Sequence, residues 1–364
     1  MAEQDKTLLA YVGTYNRERE EGIYLYHLDL ASGALSPVDA VSGVKNPSFL
    51  ALGPESRFLY AVSEMQELDG KPGGGVSAFA IDSGTGSLSP LNQQSSQGAG
   101  PCHLSVDQTG RFVLVANYSS GGVAMLPVQD DGSLGEATDA VQHEGSSAHP
   151  QRQAGPHAHS ITVSPENNYA FAADLGIDKI MVYRIDLAEG KLPPNAVPSV
   201  QVHAGAGPRH FAFHPNGRYA YLINELDNTV VAYTFDGTNG TLQDIQTLST
   251  LPEGYAETSY CADIHVSPSG RFLYGTNRGH DSLAIFEIDE GTGKVDLVGL
   301  EPTQGEFPRN FAIDPTGSIL LAANQNGDNI VSFRMDPDTG RLTPTGHITE
   351  VPAPVCIKMM WLSS

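Results

Sequence analysis

The chain has 364 residues, 40% apolar and 8% aromatic, enough to bury a sizeable core, and carries a formal charge of −22. That charge argues against nucleic acid or an anionic membrane surface as partner. No run reaches the roughly 18 apolar residues of a membrane span. The opening Met1-Ala2-Glu3-Gln4-Asp5-Lys6 has no apolar stretch, so no secretory leader is expected, and residues 1–6 read as a flexible tail before one unit, 7–364. Cys102, Cys261 and Cys356 form an odd set without metal-type spacing. They read as buried reduced thiols in a cytoplasmic protein.

Residues 7–12, Thr-Leu-Leu-Ala-Tyr-Val, are a strand-like run with no partner nearby in sequence. Beyond them a motif recurs: Pro-x-Gly-Arg-aromatic, an apolar run, then a small polar or charged pair. Its fullest copy is Pro215-Asn216-Gly217-Arg218-Tyr219 through Asn224-Glu225. The relatives close at Ser63-Glu64, Asn117-Tyr118, Asp174-Leu175, Asn277-Arg278 and Asn324-Gln325, spaced 47 to 57 residues apart. A period that long marks a repeat architecture. In the fourth repeat, residues 208–213, 219–224, 229–235 and 242–248 are four strand-like runs. Turns rich in Asn, Asp and Gly join them as hairpins. Four short strands per unit without helical periodicity describe one blade of a β-propeller.

First strands begin at Pro47, Pro101, Ala158, Pro208, Cys261, Pro308 and Pro354, seven in all, yet only six second strands follow them. Residues 7–12 supply the seventh. Pairing them with residues 355–360 closes the ring and removes an open sheet edge. The expected fold is therefore all-β, a seven-bladed β-propeller with four antiparallel strands per blade. The WD dipeptide is absent and Trp361 is the only tryptophan, which disfavours the WD40 class.

In a four-strand meander the first strand starts on the face where the second ends. Blade entries such as Pro208-Arg209-His210 and exits such as Asn224-Glu225 therefore share one face near the axis. The long irregular loops 65–75 and 143–156 open onto the same face, where a ligand would sit.

Residues that the repeat explains carry no functional signal. Arg57, Arg111, Arg218 and Arg271 belong to the turn motif, and most other arginines also have a place in the repeat. Arg152, Arg209, Arg278 and Arg309 do not, and the last three map to the axial face. Cations converging in an acidic protein suggest an anion site. The competing explanation is that they pair with Glu64, Glu225 and Asp263 to knit blades together. Aligned first strands also give two polar rings, Ser48, Cys102, His159, Arg209, Ala262, Arg309 and Phe49, His103, Ser160, His210, Asp263, Asn310. The histidines beside Glu225 are acid–base candidates. His157-x-His159 with Glu225 is the one combination suited to zinc, and the arginines would repel a cation, so no metal is expected. Neither a nucleotide-binding fingerprint nor a Gly-x-Ser-x-Gly elbow is present.

Gly155-Pro156-His157-Ala158-His159-Ser160, Gly207-Pro208-Arg209-His210, Ile223-Asn224-Glu225-Leu226, Ala262-Asp263-Ile264-His265 and Pro308-Arg309-Asn310-Phe311 resemble the seven-bladed propeller lactonase family. That family includes propeller-type 6-phosphogluconolactonases and carboxymuconate-cyclising enzymes, and the resemblance runs along essentially the whole chain. It implies metal-independent chemistry without a cofactor at one channel mouth. Carried over, the catalytic set is Glu225, His159, Arg209 and His157, since both histidines fit the family motif. Arg278, Arg309, His103, His210, Asp263, Asn310, Glu64 and Asn117 form the candidate binding set. The expected reaction is hydrolysis of a sugar δ-lactone, 6-phosphogluconolactone foremost, with Glu225 or His159 as base. Carboxymuconate cyclisation and a non-catalytic scaffold are the alternatives. The expected partner is a small anionic lactone, met by a monomer or weak homodimer.

Overall fold

A computed structural model describes residues 7–16, 19–68 and 70–362. The expected tail over 1–6 and the last two residues lie outside them. Among the described residues there is no helix, and so none long and apolar enough to cross a membrane. Seven four-stranded antiparallel sheets make up the ring. The fourth blade holds Pro208–Phe213, Tyr219–Asn224, Thr229–Asp236 and Thr241–Ser249, in that order.

Leu8–Thr14 pairs antiparallel with Pro354–Trp361, placing Leu9 opposite Met360 and Tyr11 opposite Lys358. The seventh blade is thus shared between the two ends of the chain. This closure covers the edge that Leu8–Thr14 would otherwise leave unpaired.

Second strands such as Tyr219–Asn224 are buried at every residue, because neighbouring blades cover both faces. The fourth strands, such as Thr241–Ser249, alternate between half-buried and exposed. Apolar clusters accordingly span adjacent blades. Tyr221 and Ile223 pack with Leu273 and Phe286 of the next blade. Tyrosines add a polar tie: Tyr11, Tyr221 and Tyr274 donate to the carbonyls of Gly86, Gly293 and Gly340 at 2.7, 3.1 and 2.8 Å. The turn motif needs a left-handed residue third. Gly217 supplies it at φ 68°, and Ser56 and Asn167 fill the same place at 53° and 60°.

One irregularity positions the site. In four blades the register slips at the second residue of the first strand, so Cys102, His159, Arg209 and Arg309 have no partner across the sheet. A β-bulge of this kind turns an extra side chain out of the ladder's alternation. Consecutive residues such as Arg209-His210 can therefore both serve the channel, at different depths.

Candidate active site

A cavity of about 340 Å³ opens where blade entries and exits meet. Glu64, Tyr118, Glu225 and Arg278 reach it from the ends of second strands. His159 and Arg309 reach it from the bulges. Tyr15, Tyr260 and Phe307 complete an aromatic wall, and Arg152 closes one side from loop 143–156.

Glu225, only 4% exposed, is the hub. Its Oε2 accepts from Arg209 Nε at 3.0 Å and from Arg278 Nη2 at 2.8 Å, and its Oε1 accepts from Arg152. Burial would raise its pKa. The guanidiniums of Arg278, Arg209 and Arg152 outweigh that and hold the carboxyl far below the usual range.

The arginines differ in what they have left to offer. Arg209, 1% exposed, is not part of the cavity wall and also donates to the Ala262 carbonyl. Burial, with Arg278 and Arg309 nearby, pushes its pKa down to about 9. Arg278 commits Nε and Nη2 to the carbonyls of Tyr260 and Cys261 at 3.3 and 2.7 Å, besides Glu225, while Nη1 has no partner among the described residues. Arg309 lies 5.3 Å from the Tyr15 ring centroid, and its guanidinium has no hydrogen-bond partner among the described residues. Tyr15 instead donates to Glu64 at 2.8 Å, and Ser48 donates to the same carboxylate. Four guanidiniums therefore face two carboxylates, leaving an excess of positive charge that a buried site tolerates poorly without an anion.

His159 Nε2 lies 3.9 Å from Glu225 Oε2, and Nδ1 lies 3.8 Å from Cys102 Sγ. Burial first, then Arg209 and His210, hold His159 neutral, well below the usual histidine value. Burial pushes the Cys102 thiol up, which disfavours its thiolate form. All three cysteines are buried and free.

Arg152 is the one of the four leftover arginines that the sequence did not map to the axial face. Its side chain, 33% exposed, donates to Tyr118 Oη at 3.3 Å and lies 5.8 Å from the Tyr260 centroid. Its loop is pinned at its N-terminal end. His143 bridges Asp174 and Tyr183 at 2.6 and 2.8 Å, and Ser147 donates to Asp178 at 2.5 Å. Asp174 also accepts the His157 amide at 2.7 Å, fixing the strand that delivers His159.

Several sequence candidates lie elsewhere. His157 is outside the cavity wall, stacked on Tyr118 at 4.6 Å with Nδ1 bonded to the Tyr118 carbonyl. Asn117 lies outside the cavity wall and donates to the Ser96 carbonyl, in the connection from the preceding blade, at 2.9 Å. His103, His210, Asp263 and Asn310 form a separate, deeper cluster. There Asp263 accepts from His210 at 2.7 Å and from Asn310, and among the described residues it pairs with no arginine.

Tyr15, Tyr118, Tyr260 and Phe307 had no sequence signal as site residues. Phe307 has a left-handed backbone, φ 63°, rare for a bulky residue. Its amide donates to Asp281 at 2.9 Å, and the Arg278 guanidinium sits 5.0 Å above its ring. The strained backbone thus sets an aromatic floor under the cation.

The family model described as "Lactonase, 7-bladed beta-propeller" matches residues 9–359. A Bacillus subtilis protein named 6-phosphogluconolactonase is 42% identical over 352 residues, covering 97% of this chain and 98% of that protein. One of the same name from Formosa agariphila is 39% identical, covering 83% and 85%. The solved structure of a periplasmic gluconolactonase from Pseudomonas aeruginosa superposes with a TM-score of 0.92 at 36% identity, covering 98% and 99%.

Proposed function

The chain belongs to the seven-bladed β-propeller lactonase family, and from that premise we propose that it hydrolyses 6-phosphogluconolactone to 6-phosphogluconate. The observation carrying the phosphate is the charge imbalance, above all the uncommitted guanidinium of Arg309 beside a neutral His159. Three unpaired thiols suit a reducing compartment, and the cytoplasm is the proposed location.

In this mechanism water adds to the lactone carbonyl carbon and its proton passes to His159. The carbonyl electrons move to oxygen, opposite the free Nη1 of Arg278. Preorganised charge of that kind is worth about 3–4 kcal/mol. Collapse expels the ring oxygen, which takes the proton back and leaves an open-chain acid. Glu225 is a poor base because three guanidiniums stabilise its charged form. Its part is to hold those guanidiniums in place. The same cation cluster disfavours a catalytic metal.

Arg309 and the outer N–H groups of Arg152 hold the phosphate; Arg278, in the candidate binding set on sequence grounds, has most of its donors committed. Arg309→Ala is expected to raise KM for the phosphorylated lactone by roughly 10–100-fold, the loss of one or two charge-assisted hydrogen bonds. KM for unphosphorylated gluconolactone should change far less. Equal effects on both substrates would remove the phosphate role.

The pH profile is a second check. A base whose pKa is depressed stays deprotonated, and active, as pH falls through the ordinary histidine range. With neutral gluconolactone, background-corrected kcat/KM is expected to stay flat from pH 8 to 6, its acid limb lying well below about 6.5. An acid limb centred near 6.5 would contradict His159 as assigned.

A further inference from the structure

The strands that deliver the site continue along the channel, and a second cavity of about 370 Å³ opens farther along them. The two cavities share no lining residue; His159 lines one and His210 the other, with ring centroids 5.5 Å apart. Asp263 is the only carboxylate lining the second cavity, and its oxygens are occupied. They accept from His210 and His265 at 2.7 and 2.9 Å, from the Ile264 amide at 3.0 Å, and from Asn310. Lys358 supplies the ammonium here. It sits 4.7 Å from the Phe49 centroid, and no carboxylate pairs with it among the described residues.

The imidazoles define what could join it. His103 Nδ1 accepts the Ile161 amide at 3.3 Å, so its proton is on Nε2, a donor. His210 and His265 spend one N–H each on Asp263, which leaves His210 Nε2 and His265 Nδ1 as acceptors. The buried hydroxyl of Ser105, also on this wall, has no partner among the described residues. The His265 side chain is 35% exposed, so the cavity reaches solvent.

We propose that this far cavity is a second binding site, for a small hydroxy-carboxylate. The carboxylate lies against Lys358 and the His103 N–H, and hydroxyls donate to the free imidazole nitrogens. A neutral sugar would leave the ammonium uncompensated, and a simple acid would leave the acceptors unused. Ring-opened products of sugar lactones fall in this class, so product can occupy the far cavity while the first one turns over.

Gluconate is the probe, titrated calorimetrically into the full chain, with glucose and acetate as controls. Gluconate is expected to bind with a component that survives Arg309→Ala, weakens at least 10-fold in Lys358→Met, and exceeds both controls. Lactone turnover should be unchanged in Lys358→Met; if that variant folds poorly, Lys358→Gln takes its place. Loss of all gluconate binding in Arg309→Ala, indifference to the Lys358 substitution, or equal binding of glucose would each overturn the proposal. The readout is binding, so a failure of the hydrolase reading would leave it independently decided.

Discussion

Glu225→Gln is expected to lower turnover by about 10²–10³-fold, the scale of losing preorganised transition-state charge, and to cost about 3–5 kcal/mol of stability, as when one partner of a buried ion pair is removed. The side chain keeps its size, so packing changes little. The charge does not: Arg209 and Arg278 are nearly inaccessible, and both donate to this carboxylate. Without it they repel one another and release Arg152, whose loop contact also ends on Glu225. Inorganic phosphate should therefore raise the melting temperature of Glu225→Gln more than that of the parent, by resupplying an anion. Turnover within a few-fold of the parent would remove Glu225 from the machinery. Equal phosphate effects on both proteins would refute the idea that the guanidiniums form one anion-demanding cluster.

His159→Asn should lower kcat by about 10²–10⁴-fold, the usual contribution of a positioned acid–base group, while KM changes little. His159 is held neutral in the folded protein and makes no close ion pair, so stability should be largely retained. Steady-state kinetics on both lactones, with melting curves alongside, separate the two effects. A large rise in KM at unchanged kcat would recast His159 as a binding residue. His157→Asn is the companion measurement. Its imidazole lies outside the cavity, bonded to the Tyr118 carbonyl, so a smaller loss is expected.

The propeller was legible because its cause is periodic. Turn chemistry, apolar runs and polar pairs repeat in six of the seven blades, and the count of first and second strands shows how the ring closes. Glu225 and Arg278 were legible for the opposite reason, as charges, like Glu64, at a position where three other blades place Tyr118, Leu175 and Gln325. The bulges could not be seen. Nothing in Gly-Pro-Arg-His says that Arg209 loses its partner while His210 keeps one, so one polar ring could not be told from the next in depth. His103, His210, Asp263 and Asn310 were therefore grouped with a site they lie beneath.

Loop 143–156 lies outside the repeat, so no alignment could bring Arg152 to Glu225. That placement depends on Asp174, which the repeat accounts for as part of a closing pair, and on Asp178, which carried no sequence signal. The aromatic wall was hidden differently. Phe307 earns its place through a backbone conformation that its residue type disfavours, and residue type was all the sequence offered.

The central claim is lactone hydrolysis in a cavity built to receive an anion. It is tested most directly in a pH-stat, with freshly made 6-phosphogluconolactone and gluconolactone compared on the same protein. The account predicts acid release well above the spontaneous rate, with KM at least 10-fold lower for the phosphorylated lactone. Acid release from 6-phosphogluconolactone no faster than the uncatalysed background would contradict it.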